Sequence, residues 1–153
     1  MKLSEALVVR ADVQKRIEQL RGRLTASVLV QEGNQPPEDP QGLFVELDAL
    51  CVQLQDLIAR INRTNATATL ESGETLTNAL ARRDVLKVRI GILKSALDTA
   101  GTPASRYGRT ELRNVPTVNV GELRQQWDAL AQEYRVLDFA IQQTNWTADL
   151  IEA

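Results

Sequence analysis

Apolar side chains return every three or four residues along most of this chain, the spacing that keeps one face of an α-helix buried. From Leu3 to about Leu24 the stripe is Leu3, Ala6 or Leu7, Val13, Ile17, Leu20 and Leu24, interrupted once by Arg10. Val28-Leu29-Val30 breaks the pattern and either ends the helix or forms a short strand. Gly33 to Pro40 cannot continue a helix, and Asp39-Pro40 restarts one as N-cap and first helical residue. The second stripe, Leu43, Leu47, Leu50, Leu54, Leu57 and Ile61, alternates steps of four and three as a packed helical seam does.

Between Asn62 and Leu76, β-branched alternation around Ser72-Gly73 fits a small hairpin. A third helix follows, capped by Thr75 or Thr77, with Leu76, Leu80, Leu86, Ile90, Leu93 and Leu97 along its seam, and Gly101-Thr102-Pro103 stops it. Ala104 to Thr117 is polar and extended, with Leu112 to Val115 a strand candidate. Asn119 and Glu122 form a capping box for the fourth helix, with Val118 and Leu123 as its hydrophobic staple. Its seam is Leu123, Trp127, Leu130, Tyr134, Leu137 and Ile141. The predicted helices span roughly 33 to 42 Å at 1.5 Å per residue. The expected fold is mainly α: one domain over residues 1–153, a bundle of about four long antiparallel helices. The connections leave room for a small β-hairpin or β-patch from Val28–Gln31, Thr67–Glu71 and Leu112–Val115. The halves each resemble a helical hairpin, but no full-length internal repeat emerges.

Composition agrees with helix-on-helix packing: 43% of the residues are hydrophobic but only 4% aromatic, so Leu, Ile, Val and Ala must fill the core. The chain has no histidine, which removes the usual neutral-pH base and the commonest transition-metal ligand. Catalytic triads and His-based zinc or di-iron sites are thereby excluded, and no catalytic, cofactor or metal residue is assigned. Glu5 and Arg10 interrupt any signal-peptide core, and no window is apolar enough to span a membrane. With a single cysteine, Cys51, expected to be an inert, partly buried thiol, these features point to a cytoplasmic protein without membrane partners.

The net charge of −2 conceals a polarity. Leu24 to Ala59 holds six acids and no Lys or Arg, while Thr77 to Val118 holds eight basic residues against three acids. Such stretches pair within a fold or across a subunit interface. Alternatively, the basic stretch 82–113 binds nucleic acid or an anionic ligand, with Arg106, Tyr107, Arg109 and Arg113 as a basic arm carrying one stacking aromatic. A sequence pI near 5.3 argues against constitutive nucleic-acid binding. Arg10 and Arg83 fall at seam positions and need solvent or a polar partner, with Asp12, Asp84, Asn62 and Asn65 as candidates. Asn62, Arg63, Asn65, Arg82 and Arg83 could instead form an anion pocket at two helix ends. Trp127 and Tyr134 on the fourth seam, and Trp146 beyond it, are candidates for core or interface.

Several segments carry a family resemblance: Arg-Ala-Asp-Val-Gln-Lys-Arg-Ile (10–17), Val-Gln-Glu-Gly (30–33), Glu-Asp-Pro (38–40) and Leu-Ile-Ala-Arg-Ile-Asn-Arg-Thr-Asn (57–65). They continue with Leu-Thr-Asn-Ala-Leu-Ala-Arg-Arg-Asp-Val-Leu-Lys (76–87), Val-Pro-Thr-Val (115–118) and Asn-Trp-Thr (145–147). Over nearly its whole length the chain resembles a small uncharacterised bacterial family whose members are sometimes labelled septicolysin. The resemblance implies a cytoplasmic bacterial protein and no catalytic residues. A pore-forming cytolysin would need an export signal and a membrane-inserting segment, and neither is visible. The expectation is a non-enzymatic helical protein that self-associates into a homo-oligomer, because four seams present more apolar face than one bundle buries.

Overall fold

The computed structural model describes residues 1–102 and 113–152. Four helices account for most of them: α1 (Leu3–Ser27), α2 (Pro40–Thr67), α3 (Leu76–Ala100) and α4 (Val120–Thr147). Their starts follow local chemistry. The Asp39 carboxylate accepts from the N–H groups of Gln41 and Gly42, and Pro40 opens the helix, where its missing N–H costs nothing. The Thr75 hydroxyl accepts from Asn78 N–H, and the Asn119 side chain accepts from Glu122 N–H at 3.1 Å. On α1 the Glu5 carboxylate reaches back to the Lys2 N–H at 2.7 Å.

The chain divides into two compact units. One holds α1, α2 and the residues from Gln143 onward; the other is Leu70–Gln142, with α3 and most of α4. In the first, α1 packs along α2, burying Leu3, Ala6, Val13 and Leu20 from one helix and Leu43, Leu50, Leu57 and Ile61 from the other. Arg23 on α1 ties down the connection by bonding Glu38 at 2.6 Å and Glu46 at 3.3 Å. In the second unit, α3 and α4 lie antiparallel: Arg83 meets Asp138, while further along α3 Leu93 shares a groove with Leu130.

Equal helix lengths, 25 residues for α1 and α3 and 28 for α2 and α4, betray a repeat that the sequence reading missed. Leu3, Ala6, Arg10, Val13, Ile17, Leu20 and Leu24 of α1 recur at one constant offset as Leu76, Ala79, Arg83, Leu86, Ile90, Leu93 and Leu97 of α3. Leu43, Leu50, Leu57 and Ile61 of α2 recur as Leu123, Leu130, Leu137 and Ile141 of α4. The pattern Thr-Asn-x-Thr-Ala-x-Leu closes both halves, at 64–70 and at 144–150. Two different offsets are needed because the connection after α3 is longer than the one after α1, so no single shift of the sequence registers both helix pairs.

The repeated motif has a structural reason. Thr67 Oγ1 donates to the carbonyls of Arg63 and Thr64, and Thr147 Oγ1 does the same to Gln143 and Thr144. The following alanines, Ala68 and Ala148, close the last helical turns on Thr64 O and Thr144 O, both at 2.8 Å. The chain then leaves extended, so that Leu70 N–H meets Glu74 O at 2.8 Å and Leu150 N–H meets Met1 O at 2.9 Å.

Three expectations need correction. No strand occurs among the described residues: Asn62 to Thr67 continues α2, because its seam runs through Ile61 to Thr64, and Val28–Gln31 is irregular. The expected turn at Ser72-Gly73 is present, with Gly73 at φ +85° and its N–H on Leu70 O, but it joins two helices. Isolated bridge positions are the nearest features to a β-patch: Lys2 pairs with Asp149, and Thr69 and Thr75 are bridge residues on either side of the Ser72-Gly73 turn. Cys51 is exposed rather than partly buried, since it stands beside the seam residue Leu50 and faces outward. Arg83 takes Asp138, not Asp84, Asn62 or Asn65, because only a residue on the facing helix can reach a seam position.

Candidate functional site

Of the basic residues singled out in the sequence, Arg82 and Arg83 are already engaged. Arg82 bonds Glu74 at 2.7 Å and approaches Glu133 at 3.8 Å. Arg83, half-buried, donates to Asp138 at 2.7 Å. Asn62 and Arg63 are exposed and Asn65 half-buried on the last turns of α2, in the first unit, whereas Arg82 and Arg83 belong to the second. Arg113 is exposed; Arg106, Tyr107 and Arg109 lie outside the described residues. Arg10, the repeat counterpart of Arg83, has Ile58 where Asp138 would stand, and its Nε is buried without a hydrogen-bond partner among the described residues.

Carboxylates engaged by cations hold their charge most tightly. A side-chain hydrogen bond from Arg23 keeps the Glu38 carboxyl below its ordinary range, one from Arg82 does so for Glu74, and one from Lys2 for Asp149. A carboxyl more acidic in the folded than in the unfolded chain adds stability above its unfolded pKa, and that contribution vanishes as the pH falls through the folded value. Asp149 faces solvent and Glu38 and Glu74 are partly exposed, so all three are screened and the effect is small. Urea midpoints should therefore decline as the pH drops below the ordinary carboxylate range. In the E38Q/E74Q double variant the decline should be shallower, and an unchanged acid profile would contradict the assignment.

The repeat offers a filter for the remaining surface, since a side chain that differs from its counterpart is not required by the shared packing. Trp127 and Tyr134 replace Leu47 and Leu54; both are half-buried on the α4 seam, and Trp127 Nε1 is buried without a partner among the described residues. Phe139 and Trp146 stand out more. They replace Ala59 and Ala66 and are 72% and 71% exposed. Phe139 escaped the sequence reading because it belongs to no seam; its signal lay in the repeat. On α3, Val85, Val88 and Ile92 form a second exposed stripe at helical spacing.

In the second unit the seam itself is incompletely covered. Leu20 and Leu50 are buried in the first unit, while their counterparts Leu93 and Leu130 are only half-buried. There α3 and α4 leave a groove of about 390 Å³ lined by Arg89, Ile92, Leu93, Gln126, Ala129 and Leu130. No group of three or more metal-ligating side chains occurs among the described residues, and no helix searched among them is long and apolar enough to cross a membrane.

Comparisons with known proteins agree with this architecture. A family described as of unknown function, DUF6847, matches residues 10–150. A crystal structure of a functionally unknown conserved protein from Corynebacterium diphtheriae superposes with a TM-score of 0.93 at 38% identity, covering 99% of each chain. No curated protein matches. Neither description carries the septicolysin label.

Proposed function

The chain belongs to the DUF6847 family of unknown function, and from that membership and its exposed aromatic side chains we propose that it is a non-enzymatic, self-associating helical protein of the bacterial cytoplasm. One observation carries this reading: Phe139 and Trp146 protrude into solvent at positions where the sister helix manages with alanine. A large aromatic that the fold does not need, held in water, costs apolar exposure that association recovers. Val85, Val88 and Ile92 extend the exposed apolar area on α3. The anion-binding alternative draws on the same chain, but Arg82 and Arg83 already spend their charge on Glu74 and Asp138.

Light scattering on the full chain from micromolar to millimolar concentration tests the proposal. Oligomers that weaken in the F139A/W146A double variant are expected. Wild-type monomers throughout that range would overturn it.

A further inference from the structure

We propose that the contact between copies is a knob in a groove: Trp146 of one copy inserts into the groove between α3 and α4 of another. The inference rests on the self-association reading and specifies its geometry. Three observations bear on it. The groove, about 390 Å³, is lined by the half-buried Leu93 and Leu130, by Ile92, Ala129 and Gln126, and by a single guanidinium, Arg89. The counterparts of Leu93 and Leu130 in the first unit, Leu20 and Leu50, are buried, so an open seam is not a requirement of the hairpin. Trp146 is a protruding indole whose counterpart is Ala66.

The chemistry of the two surfaces matches. An aromatic anchor in an apolar slot is the commonest form of interface hot spot, and a guanidinium beside it attracts the indole face. Charge reinforces the match: Arg89 has no ion-pair partner among the described residues, and the segment after Trp146 carries exposed Glu152, likewise unpaired. One Trp buries some 150–250 Å², well short of the roughly 1,200 Å² of a stable interface. The groove supplies more, because Ile92 at its rim continues into Val88 and Val85 on the same helix. Each junction uses one knob and one hole, so two copies either pair reciprocally through two junctions or join head to tail, with a free hole at one end and a free knob at the other.

The test uses two variants of the full chain, each lacking one side of the contact. W146A removes the knob and keeps the groove; A129W fills the groove and keeps the knob, with Q126W as a second way of filling it should A129W fold poorly. Wild type is expected to oligomerise, and each variant alone to dissociate at least about 30-fold more readily, as loss of an anchor does. Mixed, W146A and A129W should form a one-to-one dimer and nothing larger, because only one productive junction remains. A wild-type oligomer undisturbed by W146A, or two monomeric variants that ignore each other on mixing, would overturn the inference and leave self-association standing. Wild type monomeric at every concentration would remove self-association itself.

Discussion

Leu20→Ala should cost about 2–5 kcal/mol of folding stability, the range for a buried leucine that leaves a cavity behind, whereas Leu93→Ala should cost only about 1–2 kcal/mol. The two leucines occupy the same heptad position in α1 and α3 and are changed to the same residue, so helix propensity largely cancels. What differs is the surroundings. Leu20 is 0% exposed, so its deletion forfeits the whole transfer term and opens a void among close-packed neighbours. Leu93 borders the groove with part of its side chain already in water, so there is less burial to lose. Urea denaturation of both variants at pH 7 measures the difference. Equal costs would show that the groove is closed in solution and that the two hairpins are packed alike.

Much of the helical framework was legible because it depends on spacing alone. The Leu43 to Ile61 seam, the Asp39-Pro40 start and the Asn119 cap each follow from the shape of a helix and its unsatisfied end groups, and all three are in place. Short β-branched residues near Thr64 and Thr67 misled the reading, because their hydroxyls bond backward to carbonyls of the same helix and so make threonine compatible with its last turns. Arg83 showed the same limit from the other side. Its seam position announced the need for a partner, but which carboxylate answers depends on how α3 and α4 are registered, and no local rule contains that.

The surface was far less legible than the core. Phe139 and Trp146 carry no periodic signal, and an exposed aromatic means little until something shows that the fold could do without it. The repeat provides that comparison, for Ala59 and Ala66 satisfy the same helix positions in the first unit. It also separates two arginines that the sequence treats alike. Arg83 meets Asp138, while the matching position on α2 is the apolar Ile58 and Arg10 Nε is unbonded among the described residues, so the ion pair of one hairpin has no equivalent in the other.

Removing residues 148–153 should destabilise the chain by about 3 kcal/mol, the net of burial and hydrogen bonds lost against the chain entropy regained. Ala148 O accepts from Leu3 N–H at 3.0 Å, Leu150 N–H donates to Met1 O at 2.9 Å, and the Leu150 side chain is buried. Ile151 N–H adds a bond to Thr64 Oγ1 at 3.0 Å, and its carbonyl accepts from Arg60 Nε at 3.3 Å. Thr64→Val should give an intermediate loss of about 1–3 kcal/mol, since Thr64 is 1% exposed and its substitution leaves Ile151 N–H without an acceptor. Asp149→Ala should fall well below both. The Asp149 carboxylate reaches Lys2 at 2.7 Å but faces solvent, where an ion pair adds little. Hydrogen exchange at the Leu3 amide discriminates among the three, because that N–H loses its acceptor only in the truncated chain. Should Asp149→Ala prove as damaging as the truncation, charge rather than backbone pairing holds the start of α1, and the equivalence of 144–150 with 64–70 would lose its physical basis.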